Sequence, residues 1–408
     1  MNRCWTLPFA SALILPLLFS IGCEQTKPVA TSSIAEAGNF RVQPQSGGLN
    51  EADFRQLWME VLPVDKGDSV TRLCLSQQDV VQALTPKNVV YTVNKTTGVL
   101  NYYNYVNGNG RELFTPVVLP LHIVYMGQSN LEIYKRTTGV FEKSVPLPFA
   151  ISSDAVGERT ELYMGADRQG GELVNIDITR DYVPVVWSLL MEGEVRGAPA
   201  LYHNAIYVAS SNGGIYAVGL DRNALWDLNR DRFDTGGAIR GDVKVDDEGV
   251  YVASASGRLI CLNSATGRMK WQYIAPHNLE VGPVVTRTSV YEIVPELGLV
   301  AISKSTTIAV DPAGKRLVQE MNRSPRWTCA QAVQFVAEDR SYVYVRTANN
   351  ELWALDRVTG QVRFRGQGTH FSAIATNTID NLIYAVTDEG VIYCVKPELG
   401  PGSPGFVQ

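Results

Sequence analysis

The chain has 408 residues, 45% of them hydrophobic and 19% charged, with 35 glycines and a net charge of −5 from 36 basic and 41 acidic residues. Such a composition supports a large apolar core interrupted by many tight turns and excludes a disordered polyelectrolyte. The charges are mixed, with no basic run or basic face, which excludes nucleic acid as an expected partner.

At the N-terminus Arg3 precedes an apolar run from Trp5 to Gly22, broken by Pro8 and Pro16 and ending at Cys23 before polar Glu24-Gln25-Thr26. Residues 1–22 read as a signal peptide, because the run is too short and too broken for a spanning helix. Gly22-Cys23 resembles the lipobox of bacterial lipoproteins, with Ser20 where Leu is usual, and this implies acylation of Cys23 after cleavage. Ordinary secretory cleavage is the alternative. Multiple acyl chains on one Cys would give a stable anchor, each buried CH₂ contributing about 0.8 kcal/mol. Glu24 is not the Asp associated with inner-membrane retention, which favours an outer-membrane anchor facing the periplasm.

Residues 23–52 are rich in Ser, Thr, Gly, Gln and Ala. They read as a flexible tether with an end-to-end distance of about 30 Å. Next comes Phe54–Leu62, FRQLWMEVL, a strand-like segment carrying Trp58 whose place is set by the other end of the chain.

From here the sequence repeats. Gly249 to Trp271, GVYVASASGRLICLNSATGRMKW, reads strand, turn, strand, turn, strand, and weaker copies recur along the chain. Residues equivalent to Tyr251 are Gln82, Tyr125, Tyr163, Tyr207, Tyr291, Tyr344 and Tyr384, a period near 43 residues. In N-x-x-T-G the Asn or Asp side chain bonds backbone two residues on and the Gly takes positive φ, which forces a reversal. A lone four-stranded sheet cannot bury both faces, so the sheets must stack. The predicted fold is all-β: an eight-bladed β-propeller of four-stranded antiparallel blades over residues 53–399, with seven blades or a β-sandwich as alternatives, followed by a tail at 400–408.

The units CLNSATGRMKW (Cys261–Trp271), ALDRVTGQVRF (Ala354–Phe364) and TVNKTTGVLNY (Thr92–Tyr102) resemble the repeat of pyrroloquinoline-quinone (PQQ)-type propellers. That family includes quinoprotein dehydrogenases and BamB-type outer-membrane assembly lipoproteins. The resemblance implies that the terminal aromatic docks on the adjacent blade, here Trp187, Trp226 and Trp271, with Tyr102 and Phe364 as departures. Ile133–Lys143 lacks the aromatic, and Ala217–Trp226 is one residue short and lacks Thr-Gly. Blade six holds an extra strand-like run within Val290–Leu317. Blade eight ends after Val391–Leu399 without a T-G-x-x-x-W strand, so the segment with Trp58 is expected to supply its outer strand and close the ring.

Arg196-Gly197 and Arg240-Gly241 stand in register at the start of first strands, where they could meet an anion at the channel mouth or remain solvated or salt-bridged. The matching positions in other blades are Leu113, Thr328 and Phe371. Cys261 and Cys394 fall in a small slot that Ala217 and Ala354 fill in sister blades. Cys74 and Cys329 are read into first strands of blades one and seven, so free buried thiols are expected rather than disulfides.

His122, His203, His277 and His370 are isolated, no hydrolase, zinc or phosphate-loop spacing occurs, and the vicinal Cys-Cys of quinoprotein dehydrogenases is missing. No catalytic residues, metal site or cofactor are therefore expected, PQQ included, although quinone or calcium binding without catalysis stays open. Three functions follow: a membrane-anchored scaffold for envelope proteins, with a β-barrel assembly subunit as the partner the resemblance implies; a binding module for an envelope polymer or small ligand; and, least favoured, a PQQ-dependent oxidoreductase.

Overall fold

A computed structural model describes residues 54–108, 110–182, 184–228, 231–304, 321–366 and 371–400. The signal peptide (1–22), Cys23, the tether (23–52) and all of the tail beyond Gly400 lie outside the described residues, as does His370.

Alternating short strands and tight turns build eight antiparallel sheets, each a blade, arranged as an eight-bladed β-propeller. Every residue equivalent to Tyr251 falls on the second strand of its blade, from Gln82 in Val80–Leu84 to Tyr384 in Ile383–Thr387. The first strand of blade three is split into Ala150–Ile151 and Val156–Glu158, which both pair with Glu161–Asp167.

The predicted reversals form as side-chain-capped turns. The Asn263 side-chain oxygen accepts the backbone N–H groups of Ala265 (3.0 Å) and Thr266 (2.9 Å), and the Gly267 N–H returns to the Asn263 carbonyl at 2.8 Å. Asn94 and Asp356 do the same in blades one and seven.

No blade seals itself, and the apolar core is divided among the junctions between neighbours. Tyr251, Leu259 and Trp271 of blade five pack with Val290, Val300 and Ile302 of blade six, and equivalent clusters fill the other junctions. Burying these side chains at about 25 cal/mol per Å² of apolar surface is what drives stacking.

The strand Phe54–Val61 is the outer strand of blade eight. It runs antiparallel to Val391–Pro397, with Trp58 opposite Cys394 and Val61 opposite Val391. The first strand of the fold thus fills the position left empty at the last blade, and Ile392–Val395 are paired with a strand on both sides.

Blade six differs from the sequence reading. Its second and third strands are Ser289–Val294 and Gly298–Ser303, and its outer strand is Trp327–Cys329, paired with Leu299–Ala301. Thr328 and Cys329 therefore belong to the outer edge of blade six, not to a first strand. The extra length separates the third strand from the fourth, and part of the extra run, from residue 305 on, lies outside the described residues. Where the chain re-enters, Met321–Arg323 runs along the outer strand of blade five. The Gln272 N–H donates to the Met321 carbonyl and the Arg323 N–H to the Gln272 carbonyl, both at 2.7 Å, and the Arg323 guanidinium lies 4.7 Å from the Trp271 ring centre.

All four cysteines of the described fold are free. Cys261, Cys329 and Cys394 are buried and Cys74 is half-buried. Burial pushes the Cys261 and Cys394 thiols up to about 12, which keeps them protonated and unreactive at neutral pH.

Glu292 departs from its sister positions Met126, Met164, Val208 and Val252. It is 1% exposed, and neither carboxyl oxygen has a hydrogen-bond partner. Burial holds the carboxyl well above the ordinary value of 4.5, so the folded chain keeps this proton to higher pH than the unfolded chain does. Stability is therefore lost as pH rises above 4.5 towards the folded-state value. Glu292→Met is expected to raise the unfolding free energy by about 1–3 kcal/mol at pH 8, with a smaller gain at pH 4.5. Urea denaturation at both pH values checks this, and a gain that is absent, or equal at the two, contradicts it.

Candidate functional site

The side chain at one position of each outer strand reaches from its own blade to the next. In blade five this is Trp271, opposite Cys261, and a register shift between Cys261 and Leu262 turns it towards the neighbouring blade. The same shift accompanies Tyr102, Lys143, Trp187 and Phe364. Each Trp ring lies beside a second-strand tyrosine of its own blade: Trp58 on Tyr384, Trp187 on Tyr163, Trp226 on Tyr207, Trp271 on Tyr251 and Trp327 on Tyr291, with ring centres 5.9–6.1 Å apart.

Several of these residues also donate a hydrogen bond to a turn of the following blade. Trp58 Nε1 donates to the Lys95 carbonyl at 2.9 Å, Trp226 Nε1 to the Ser264 carbonyl at 2.8 Å and Trp327 Nε1 to the Arg357 carbonyl at 3.0 Å. The Tyr102 hydroxyl reaches the Arg136 carbonyl at 2.5 Å. The indole packs flat on the Thr-Gly turn: a Cβ at Gly98 would sit 2.6 Å from the Trp58 ring, and Gly98 also needs φ +78°. Glycine meets the steric and the backbone demand together.

Phe364 has no polar edge and instead meets Phe54 edge-on at 5.4 Å. In blade four Trp226 comes directly after a tight turn, before that blade's outer strand Arg232–Asp234.

Two residues of this ring escape sequence reading. Trp327 is the docking aromatic of blade six, and its signal was a Trp ahead of Tyr344 much as Trp271 stands ahead of Tyr291. Lys143 takes the place in blade two, where its ammonium donates to the Thr179 carbonyl at 3.3 Å and pairs with Asp181 at 2.6 Å. A long cation bridges the junction that an aromatic fills elsewhere.

Antiparallel strands put the turns between first and second and between third and fourth strands on one ring face. The second–third turns and the blade-to-blade crossings lie on the other. Arg196 and Arg240 sit on crossings, four residues ahead of the first strands Ala200–Tyr202 and Lys244–Asp246, and not within them. The repeat pattern marks the start of a blade but not where extended backbone begins.

Both guanidiniums are exposed and paired, Arg196 with Glu194 through Nε at 2.7 Å and Arg240 with Glu280. Arg232 adds bonds to Glu192 at 2.6 Å and to the Tyr216 hydroxyl at 3.1 Å. The crossings abut backbone to backbone, since a Cβ on Gly197 would collide with the Gly241 carbonyl and one on Gly241 with the Gly282 nitrogen. The Ala198 N–H donates to the Asp242 carboxylate at 2.9 Å. These contacts hold a rigid, mixed-charge surface over blades four to six.

Among the described residues no group of three or more His, Cys, Asp or Glu could hold a metal ion, and the cysteines are spread over blades one, five, six and eight.

A ring of eight four-stranded blades, joined by docking aromatics over Asx-capped Thr-Gly turns, defines a PQQ-like repeat propeller. The family described as outer membrane protein assembly factor BamB matches residues 150–365, and the chain belongs to that family. No curated protein matches the sequence. Among solved structures, BamB from Moraxella catarrhalis is similar at 16% identity and a TM-score of 0.61, over 84% of this chain and 97% of that one. The computationally designed Ika8 protein is similar at 14% identity and a TM-score of 0.59, over 82% and 98%. At such identities the likeness is one of fold.

Proposed function

We propose that this chain is an exported scaffold, lipid-anchored through Cys23 to the outer membrane and facing the periplasm, that binds another envelope protein during outer-membrane protein assembly. Membership of the BamB family is the observation that carries this reading. A β-barrel assembly subunit is the partner proposed, with no catalysis and no cofactor, PQQ included. The rigid mixed-charge surface with Arg196 and Arg240 beside Glu192, Glu194 and Glu280 is the face offered to it. Exposed, pre-positioned charges of both signs favour specificity and encounter rate over raw affinity.

A second reading, a binding module for an envelope polymer or small ligand, draws on a cleft on the opposite face. Pull-down from crosslinked membranes separates the two. The wild type is expected to recover a barrel-assembly subunit, Arg196→Glu/Arg240→Glu about tenfold less of it, and Cys23→Ser to leave the membrane fraction. Recovery of glycan alone, or equal recovery with the charge-reversed variant, overturns the proposal.

A further inference from the structure

The junction between blades three and four breaks the repeat at three places that meet. The turn Gly219–Leu225 after the third strand of blade four lacks Thr-Gly, and Trp187, whose Nε1 donates to the Leu220 carbonyl at 3.1 Å, is half-buried where Trp226 and Trp271 are 1% exposed. Two residues before Tyr163 stands Glu161, where sister blades have Ala205, Gly249 and Ser289. Opposite Trp187 stands Asn175, where they have Ala217, Cys261 and Ala301.

These departures open a cleft of about 730 Å³, lined among others by Glu158, Arg159, Glu161, Tyr163, Leu220 and Asp221. One Glu161 oxygen accepts the Tyr163 hydroxyl at 2.5 Å and the Asn175 amide at 3.5 Å. The carbonyl branch of that same amide, on a residue 1% exposed, has no hydrogen-bond partner. Asp221 accepts the backbone and side-chain N–H groups of Asn223 at 3.3 and 2.7 Å, which hold its carboxyl below the usual carboxylate range and keep it ionised.

An acceptor buried without a partner is destabilising by about 1–3 kcal/mol, so the wall behind Glu161 is short of donors. Three carboxylates face a single cation, Arg159, and among the described residues no metal-binding group of His, Cys, Asp or Glu forms here. A guanidinium meets that demand better than an ammonium. It spreads five N–H donors over a plane, enough for Glu158, Glu161 and Asp221 together, and its methylenes match the apolar Leu220 and Leu225 of the same lining.

We propose that this cleft binds an arginine side chain presented by an extended segment of a partner protein. The cleft is built from first–second and third–fourth turns, on the ring face opposite Arg196 and Arg240, so the inference does not rest on the function proposed above.

The test titrates the mature chain with N-acetyl-Gly-Arg-Gly-amide and follows the Leu220 and Leu225 methyl resonances. Saturable shifts are expected, with the citrulline and lysine analogues binding about tenfold more weakly, because the first loses the charge and the second the fork. Glu161→Gln/Asp221→Asn should weaken the arginine peptide about tenfold with an unchanged melting temperature, since Gln still accepts the Tyr163 hydroxyl. The citrulline comparison leaves the protein unaltered and so does not depend on the variant folding. Absence of saturable shifts, equal binding of citrulline, or undiminished binding by the variant overturns the proposal.

Discussion

Deleting residues 54–62 is expected to abolish the cooperative unfolding transition of the whole ring and leave the C-terminal blade open to protease. The segment contributes Phe54, Trp58 and Leu62, at most 9% exposed, to the junctions on either side of blade eight. It also pairs with Val391–Pro397 along its full length. Its removal would expose that edge, withdraw the Trp58 bond to the Lys95 carbonyl, and uncouple blade eight from blade one. Circular dichroism melting and limited proteolysis read the outcome. A variant that melts as sharply as wild type would mean that closure of the ring does not depend on its first strand.

Trp271→Ala is expected to lower the unfolding free energy by about 3–5 kcal/mol, as for other buried aromatic truncations. Its ring is 1% exposed, packs on Tyr251 and carries Arg323 on its outer face. Trp327→Ala should fall in the same range, and Trp187→Ala below it, because Trp187 is only half-buried. Lys143→Ala, which removes a partly exposed ion pair, is expected to cost about 1 kcal/mol or less. Chemical denaturation of the four variants tests the ranking. An unchanged midpoint for Trp271→Ala would mean that the aromatic ring does not hold the blades together.

The fold was legible because its repeat is chemically explicit. Asn or Asp followed by Thr-Gly encodes a turn whose hydrogen bonds are local, so Asn94, Asn263 and Asp356 could be placed without knowing the rest of the chain. The empty place in blade eight was legible for a related reason, since an unpaired strand edge calls for a partner and the segment with Trp58 was the unassigned one.

Blade six was misread because an insertion preserves local strand character on both sides. Trp327-Thr328-Cys329 looks as extended before a blade as at the end of one, and only its pairing with Leu299–Ala301 decides between them. Lys143 was passed over because the pattern asked for an aromatic, although a long cation spans the same gap. The two arginines keep a common spacing but stand on the crossings ahead of the first strands, and their partners were not legible: Glu280 meets Arg240 only through the stacking of blades five and six. The cleft between blades three and four was hidden for the same reason, since Asp221 of blade four comes beside Glu161 of blade three only once the two blades are docked.

The eight blades form a ring closed by its first strand, and amide hydrogen exchange on the full chain reads that closure at the paired strands themselves. Peptides covering Phe54–Val61 should be protected as long as those covering Val391–Pro397, because the two strands open only together. Rapid exchange in Phe54–Val61 while Val391–Pro397 stays protected would contradict it.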